Sequence, residues 1–240
     1  MNILVTGGAS GLGKSITEIL LSNKDYTVYF TFCSSKENAA IICSKFPNSK
    51  GIECDFNDTN SINSLCEMIP DLRLNVLINN AYSGNFITKH FNKISPDVFS
   101  TDFNKNIIPT VFITQSAISY FKKMKSGKII TILTSALVNK PPSGASSYIA
   151  NKAYLQSLVK SWAVENKKFN ITSNSVSPSL MLTKLTSDID ERIIDQIIDN
   201  HPLKKILETS EVAETVAFLV NSSQQINGID LVINSAESIK

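Results

Sequence analysis

The chain has 240 residues, of which 42% are hydrophobic, and this suffices for one α/β domain built around a buried sheet. Its 23 basic and 21 acidic residues leave a formal net charge of +2, so no strong global field attracts nucleic acid or a membrane surface. We therefore expect a single domain over residues 1–240, with neither nucleic acid nor a membrane as its partner.

Cysteine and histidine residues give no sign of a metal site or a disulfide framework. The cysteines lack the C-x-x-C spacing of zinc sites, and no histidine stands near them in the sequence. These residues are Cys33, Cys43, Cys54, Cys66, His90 and His201. An apolar strand follows Met1 directly and leaves no room for a signal peptide. The expectation is a cytoplasmic protein without a metal ion.

Short apolar runs rich in β-branched residues alternate along the chain with longer amphipathic stretches. The runs predict strands at 3–6, 27–32, 51–54, 75–78, 128–133, 171–176 and 229–233. Helices are predicted at 13–23, 36–46, 60–68, 95–125, 148–167 and 210–221, the fourth either continuous or interrupted near Pro109. The alternation predicts a Rossmann-like, doubly wound, mostly parallel seven-stranded sheet with helices on both faces. The polar stretch 179–207, between the last two strands, is interpreted as a helical lid over a substrate.

The first predicted strand runs into a glycine-rich turn, which a helical pattern follows. Gly7, Gly11 and Gly13 have the spacing G-x-x-x-G-x-G rather than the commoner G-x-G-x-x-G. Glycines here let the backbone approach a pyrophosphate, whose charge is met by free N–H groups at the helix N-terminus. The turn therefore indicates a dinucleotide site, although a tight turn without a ligand gives the same pattern.

A tyrosine and a lysine share one face of the fifth predicted helix. Tyr148 and Lys152 are four residues apart, and Ser135 comes thirteen residues before the tyrosine. Because residues i and i+4 are neighbours on a helix, the ammonium favours the ionised form of the phenol. These residues predict an acid–base site, although the same Tyr–Lys spacing also occurs on ordinary solvated helix faces.

In chain order, these motifs resemble those of the short-chain dehydrogenase/reductase family over essentially the whole sequence. The series is Thr6-Gly7-x-x-x-Gly11-x-Gly13, Asp55, Asn79-Asn80-Ala81, Asn106, Ser135, Tyr148-x-x-x-Lys152 and Pro178-x-x-x-x-Thr183. Within the family, the stretches 127–135 and 202–219 look most like the 3-oxoacyl-acyl-carrier-protein reductases. The resemblance implies an NAD(P)-dependent oxidoreductase that acts on alcohol and carbonyl groups.

The resemblance implies a catalytic role for four residues. Tyr148 would donate a proton to the carbonyl oxygen, with its pKa lowered toward neutrality by Lys152 and by oxidised nicotinamide. Lys152 would also bind the nicotinamide ribose, and Ser135 would hold the substrate oxygen. Asn106 would position a water molecule that links Lys152 to solvent; the alternative is a buried amide that bonds a helix carbonyl.

A set of cofactor-binding residues is implied in the same way. Asp55 and the backbone N–H of Phe56 would hold the adenine, and Thr183 would hold the nicotinamide carboxamide. For Asp55, the cap of a turn remains the alternative. The whole set is Thr6, Gly7, Ser10, Gly11, Leu12, Gly13, Cys33, Ser34, Ser35, Lys36, Asp55, Phe56, Asn80, Ala81, Tyr148, Lys152, Pro178 and Thr183.

The end of the second predicted strand bears on the choice between NADP(H) and NAD(H). An acid there would bind the ribose 2′-hydroxyl and repel a 2′-phosphate, but Phe32 and Cys33 are not acidic. Ser34, Ser35 and Lys36 offer donors that suit a phosphate, and serines before a helix are equally suited to capping it. NADP(H) is predicted, with NAD(H) as the alternative.

Three places depart from the family pattern. Tyr82 and Ser179 stand where the family usually has glycine, and Asn234-Ser235-Ala236 stands where it commonly has Asp-Gly-Gly. Tyr82 would put a bulky side chain near the nicotinamide, and Ser179 would restrict the hinge of the lid. The acid–base residues themselves match the family.

The sequence thus predicts an NADPH-dependent carbonyl reductase of the 3-oxo group of an acyl thioester, small or bound to a carrier protein. The alternatives are a family member acting on a sugar, nucleotide sugar or small alcohol or ketone, and a non-catalytic dinucleotide-binding protein. Family likeness implies a homodimer or homotetramer. Six lysines form either a basic rim for an acidic carrier protein or a solvated helix end. They are Lys122, Lys123, Lys125, Lys128, Lys167 and Lys168.

Overall fold

Parallel strands form a seven-stranded sheet in the computed structural model, which describes residues 1–84, 86, 89–138, 140–187 and 189–237. The strands are β1 (Asn2–Val5), β2 (Thr27–Phe32), β3 (Ser49–Glu53), β4 (Val76–Asn79), β5 (Gly127–Ile132), β6 (Ile171–Pro178) and β7 (Asp230–Ile233). Their order is β3-β2-β1-β4-β5-β6-β7, with every neighbouring pair parallel. The predicted doubly wound sheet is confirmed, and its strand order reverses between β1 and β4.

Helices cover both faces of the sheet. They are α1 (Gly11–Leu21), α2 (Lys36–Lys45), α3 (Thr59–Leu72), α4 (Pro96–Met124), α5 (Ser146–Asn166), α6 (Glu191–Asn200) and α7 (Thr209–Asn221). Helices α1, α2 and α7 pack on one face, and α3, α4 and α5 pack on the other. Within the described ranges, no helix combines the length and apolar character needed to cross a bilayer.

Strand β1 shows why the apolar runs are unbroken. Ile3 and Val5 face the cluster under α1, whereas Leu4 faces the cluster under α3, and all three side chains are fully buried. Alternate residues of a strand point to opposite faces, so a sheet covered on both faces needs apolar residues at every position. Burial of one such side chain stabilises the fold by about 1.5–3 kcal/mol.

Two prolines lie inside helices: α4 takes the continuous alternative at Pro109, and α3 continues beyond its predicted end at residue 68. Helix α4 passes through Pro109, which is buried, and α3 extends to Leu72 with Pro70 in its last turn. A proline inside a helix removes one backbone hydrogen bond, but packing of Ile107 and Ile113 in the core holds α4 together. Arg73 follows as the C-terminal cap of α3, with a left-handed φ of 51°.

The segment 179–207 lies between β6 and β7 and contains the predicted helical structure. A 3₁₀ helix spans Lys184–Thr186, and α6 follows it. The side chain of Asp190 caps α6 by accepting a hydrogen bond from the N–H of Arg192 at 2.9 Å. Residue 188 lies outside the described residues. That this segment closes over a substrate remains a prediction.

Candidate active site

A cleft of about 930 Å³ opens at the carboxyl ends of the strands, beside the point where the strand order reverses. Ligands of open α/β sheets bind at this place in general. Of the predicted site residues, all but Thr6 and Lys36 line the cleft. Those that line it are Gly7, Ser10, Gly11, Leu12, Gly13, Cys33, Ser34, Ser35, Asp55, Phe56, Asn80, Ala81, Asn106, Ser135, Tyr148, Lys152, Pro178 and Thr183.

The glycine-rich turn brings α1 close to the end of β1. Gly7 has a φ of +65°, which favours glycine, and its N–H donates to the Thr31 hydroxyl at 2.8 Å. A Cβ atom added to Gly13 would lie 2.1 Å from the carbonyl oxygen of Gly7, so no larger residue fits there without displacing the backbone. The close approach of helix and turn thus depends on glycine at position 13.

Thr6 lies behind the cleft wall and holds two segments together. Its hydroxyl oxygen accepts hydrogen bonds from the N–H groups of Asn80 and Ala81, both at 3.0 Å. The side-chain amide of Asn80 donates in return to the carbonyl oxygen of Thr6 at 2.9 Å. Thr6 therefore supports the wall from behind, where it is buried.

The N-terminus of α1 fits a phosphate group. Ser10 precedes the helix in an extended conformation, its side chain makes no capping bond, and no acid lies in the first turn. The first N–H groups of a helix have no partners within the helix, and its dipole is positive there. The residues present therefore fit the pyrophosphate of a dinucleotide, and the cleft is large enough for such a ligand.

Asp55 lies on the cleft wall just after β3. Its Oδ1 atom accepts hydrogen bonds from the backbone N–H of Asn57 at 2.8 Å and from the Asn57 side chain at 2.9 Å. These bonds hold the pKa of Asp55 below its usual value, so the carboxylate is charged at neutral pH. The turn-capping alternative is thus observed, and adenine binding by this residue remains a prediction.

Only some of the predicted phosphate donors that follow β2 lie on the cleft wall. Cys33, Ser34 and Ser35 line the cleft, but Lys36 does not. The Lys36 ammonium lies 2.8 Å from Oε1 of Glu53, and this bond raises the Lys36 pKa. Both side chains are exposed, so the ion pair is weak and its ammonium is not permanently held.

The predicted acid–base residues meet at the cleft from three elements. Tyr148 and Lys152 lie on α5, Asn106 lies on α4, and Ser135 begins the 3₁₀ helix Ser135–Leu137 after β5. All four are buried. The side chain of Thr134 forms a hydrogen bond with the Tyr148 hydroxyl. The sequence motifs did not predict Thr134 as a site residue.

Without a cofactor, the Tyr148 pKa is raised rather than lowered, and its lowering in the complex with oxidised nicotinamide remains a prediction. Burial raises this pKa, the neighbouring Tyr82 raises it further, and only the hydrogen bond with Thr134 opposes the shift. Burial also lowers the pKa of Lys152 to about 7, and its Nζ atom donates to the carbonyl oxygen of Ile132 at 2.8 Å. The lysine is therefore only partly charged at neutral pH, and the phenol keeps its proton.

Asn106 is engaged with the loop after β4. Its Oδ1 atom accepts from the N–H of Ser83 at 2.7 Å, and its amide donates to the carbonyl oxygens of Ser83 at 3.0 Å and Asp102 at 3.1 Å. The bond to Asp102 is the hydrogen bond to a helix carbonyl that the alternative role of Asn106 predicts. Positioning of a water molecule by Asn106 remains a prediction.

Two aromatic residues of the same loop were not predicted as site residues. The rings of Tyr82 and Phe86 each lie 5.0 Å from the Tyr148 ring, in edge contacts at 79° and 81°. The departure from glycine at position 82 was the available signal for Tyr82. For Phe86 there was none, because its position in a loop depends on tertiary packing.

The stretch after β6 closes the other side of the cleft with apolar groups. Ile193 and Ile197 of α6 line the cleft four residues apart, so they form one stripe of that helix. Thr183 lies at the glycine turn, 3.6 Å from where a Cβ of Gly11 would be. Ser179, by contrast, has no left-handed φ, so glycine is not required there.

The turn after β7 keeps a backbone shape that favours glycine. Ser235 and Ala236 have φ values of 51° and 60°. The N–H of Ala236 donates to the side chain of Asn234 at 3.2 Å, and this bond helps to hold the turn. Left-handed residues other than glycine cost about 1–2 kcal/mol each, so this turn is strained.

The six lysines considered as a carrier rim lie at the opposite edge of the sheet from the cleft. They cluster near Gly127 and Ile171, which begin β5 and β6, whereas the cleft lies at the strand ends. Lys128 is partly buried, and its Nζ atom donates to the carbonyl oxygens of Val220 at 2.7 Å and Ser222 at 2.6 Å. Lys128 thus caps the end of α7 rather than facing a partner.

Comparisons with known proteins agree with this geometry. The family model described as enoyl-(acyl carrier protein) reductase matches residues 7–235. The 3-oxoacyl-acyl-carrier-protein reductase FabG of Staphylococcus epidermidis is 29% identical over 241 residues, 96% of each protein. A tropinone reductase homolog of Arabidopsis thaliana is 30% identical, over 100% of this chain and 91% of that protein.

Solved structures give the same result. One described as a short chain dehydrogenase/reductase family protein superposes with a TM-score of 0.85 at 27% identity, covering 98% of this chain and 96% of that one. The chain therefore belongs to the short-chain dehydrogenase/reductase family, is most like the 3-oxoacyl-acyl-carrier-protein reductases, and is an NAD(P)-dependent oxidoreductase of alcohol and carbonyl groups.

Proposed function

We propose that the protein is an NADPH-dependent reductase that converts the 3-oxo group of an acyl thioester to a 3-hydroxy group. The observation that carries this proposal is the buried phenol of Tyr148, which keeps its proton at neutral pH on the wall of a dinucleotide-sized cleft. A protonated phenol is suited to reduction, in which the carbonyl oxygen gains a proton.

The residues of the site divide the reaction between them. A reduced nicotinamide supplies the hydride when it is bound. The Ser135 hydroxyl holds the carbonyl oxygen, and Tyr148 donates its phenolic proton to that oxygen, so C=O becomes CH–OH. Lys152 stabilises the phenolate that remains, and the phenol then recovers its proton from solvent.

Three features support an acyl thioester as substrate. Several relatives carry the name 3-oxoacyl-acyl-carrier-protein reductase. The apolar stripe of Ile193 and Ile197 suits an acyl chain, and we propose that the segment 179–207 closes over it. Lys140 and Lys184 are exposed on the cleft wall, and the ion pairs of the described residues involve neither, so both ammonium groups are available to a phosphate of the carrier.

NADPH is the proposed reductant because hydroxyl donors line the cleft where the 2′-phosphate would lie. Ser34 and Ser35 are on the wall, and the last residues of β2 are not acidic. Ser35 precedes α2 without making a side-chain capping bond, so its hydroxyl is not committed to the helix. Lys36 is a phosphate partner only when it leaves Glu53.

We also propose a cytoplasmic homodimer or homotetramer. The supporting observation is an exposed apolar surface on the two long helices, which includes Ile108 and Phe112 of α4 and Tyr154 of α5. Light scattering of the wild-type protein and of Phe112→Asp tests this. A wild-type dimer or tetramer that the substitution dissociates is expected, and a wild-type monomer would refute it.

A second candidate is the reduction of a small ketone. The rings of Tyr82 and Phe86 flank Tyr148 and narrow the cleft beside the proton donor, which favours a compact carbonyl compound. The relative named as a tropinone reductase homolog supports this alternative. Among the described residues, no comparable observation favours a sugar or nucleotide-sugar substrate.

A substrate panel separates the two. Acetoacetyl-CoA, an acetoacetyl carrier protein, small cyclic ketones and keto sugars are each assayed with NADPH and with NADH. The proposal expects the highest kcat/KM for an acetoacetyl thioester with NADPH. A kcat/KM at least about tenfold higher for a cyclic ketone would favour the second candidate, and turnover with none would overturn both.

A further inference from the structure

Tyr82 contacts both residues of the proposed acid–base pair, Tyr148 and Lys152. The ammonium of Lys152 lies 4.9 Å from the centre of the Tyr82 ring, within the range of a cation–π contact. The same ring meets the Tyr148 ring edge-on at 5.0 Å. One aromatic side chain therefore contacts both the cation and the phenol.

The surroundings of Lys152 show what this contact supplies. An ammonium has three donors, but within the described residues this one makes a single hydrogen bond, to the carbonyl oxygen of Ile132. The residue is only 4% exposed, so water compensates little of the charge. The face of the Tyr82 ring lies closer to the ammonium than the Tyr148 ring, at 4.9 Å against 5.7 Å.

The position of the Tyr82 ring is itself fixed from two sides. Its hydroxyl oxygen accepts a hydrogen bond from the side-chain amide of Asn151 at 3.2 Å. The next residue, Ser83, is held by Asn106 through bonds to both its N–H and its carbonyl oxygen. A ring that is anchored in this way can hold its neighbours in place.

Phe86 offers an internal comparison. It contacts the Tyr148 ring at the same distance and nearly the same angle as Tyr82 does, 5.0 Å and 81°. The cation–π contacts of the described residues pair Lys152 with Tyr82 and Tyr148, and not with Phe86. The two residues therefore share the contact with the phenol and differ in the contact with the cation.

We infer that Tyr82 is a positioning residue, whose ring holds the Lys152 ammonium beside Tyr148 and thereby sets the geometry of proton transfer. Its contact with the cation stands on this structure alone, and only its effect on turnover rests on the proposed function. Glycine at this position would leave the ammonium without that partner.

A double-mutant cycle on stability tests the contact without any activity assay. Tyr82→Leu and Lys152→Met are made singly and together, and urea unfolding is measured at about pH 6, below the Lys152 pKa of about 7. We expect Tyr82→Leu to raise the unfolding equilibrium constant in both backgrounds. The factor of increase should be about fivefold larger when Lys152 is present than when Met replaces it. Tyr82→Phe, which keeps the ring, should retain that coupling.

The matched control is the cycle of Phe86→Leu with Lys152→Met, which we expect to be additive within about twofold. The inference is overturned if the Tyr82→Leu cycle is equally additive. It is also overturned if the Phe86→Leu cycle shows the same coupling, because the effect would then be general packing.

Turnover of acetoacetyl-CoA tests the positioning role. We expect Tyr82→Leu to lower kcat about tenfold with KM changed by less than about threefold, and Tyr82→Phe to restore kcat to within about twofold of wild type. Equal losses in the Leu and Phe variants would overturn the role of the ring. If the wild-type protein reduces no carbonyl compound, the proposed function fails and the stability cycle alone decides the inference.

Discussion

Tyr148 and Lys152 lie one helical turn apart on the cleft wall, and burial shifts their pKa values in opposite directions. The phenol resists ionisation, whereas the ammonium loses its proton at about pH 7. Each shift follows from the cost of burying charge, which disfavours phenolate and ammonium alike. In the absence of a dinucleotide, Tyr148 therefore keeps its proton at neutral pH while Lys152 is only partly charged, so the proposed proton donor is in its protonated form.

The Lys152 shift predicts a pH-dependent stability. Its pKa falls from 10.5 to about 7 on folding, so between these values the unfolded chain binds more protons and stability rises with pH. Below about pH 7 the ammonium is charged in both states, and its full burial cost remains. Relative to Lys152→Met, the wild-type free energy of unfolding should rise above about pH 7, by at most about 1.4 kcal/mol per pH unit.

Urea unfolding of both proteins at about pH 6, 7, 8 and 9 measures this difference. These pH values lie below the range in which tyrosines ionise. A difference between the two proteins that stays constant over the whole range would show that Lys152 titrates alike in the folded and unfolded chains.

Ala236 gives a second prediction for a single residue. Its left-handed φ of 60° suits glycine, so Ala236→Gly should raise the free energy of unfolding by about 0.5–1 kcal/mol. Ala40→Gly is the control, because Ala40 is exposed within α2 and should lose about 1 kcal/mol instead. Thermal unfolding of the two variants should show opposite signs, and a loss of stability in both would contradict strain at position 236.

Among the elements, the glycine turn and α1 form the end of the cleft that fits the pyrophosphate of a dinucleotide. Gly13→Ala would place a methyl carbon 2.1 Å from the Gly7 carbonyl oxygen, so the backbone of the turn would have to shift. We expect the NADPH dissociation constant to rise at least about tenfold, which is the effect of a displacement that costs about 1.4 kcal/mol. Fluorescence titration of NADPH measures the constant.

Gly51→Ala in β3 is the control for the glycine turn. A Cβ atom there would first meet the ring of Phe32 at 3.1 Å, which can adjust, and binding should change by less than about twofold. Equal loss of binding in both variants would assign the effect to general destabilisation instead.

The sequence predicted the elements better than their ends and contacts. Strand β1 was recognisable because Ile3, Leu4 and Val5 are buried on both faces and form an apolar run. The predicted end of α3 at residue 68 was too early, because the helix continues through Pro70 to Leu72. Packing against the rest of the protein decides such cases, and a local pattern does not contain it.

The site shows the same division between residue identity and side-chain arrangement. The positions of Tyr148 and Lys152 on one helix face followed from their spacing. The bond from Lys152 to Ile132 and the one between Thr134 and Tyr148 could not be predicted, because they join α5 to groups at and beyond the end of β5. The raised pKa of Tyr148 depends on that enclosure as well.

At the scale of the whole molecule, the parallel sheet gathers the site at one edge. The ends of β1, β4 and β5 supply the glycine turn, the loop with Tyr82, and Ser135, while α5 supplies the proposed acid–base pair. The lysines near the starts of β5 and β6 lie at the other edge. Under the proposed function, a carrier protein would therefore approach the cleft of one chain from the side of Lys140 and Lys184, rather than from that lysine cluster.

The rate of acetoacetyl-CoA reduction in Tyr148→Phe tests the central claim most directly, because this variant keeps the ring and loses the hydroxyl group that carries the transferable proton. We predict that kcat falls at least about 100-fold while the NADPH dissociation constant stays within about twofold of wild type. Turnover at the wild-type rate in this variant would contradict the assignment of Tyr148 as the proton donor.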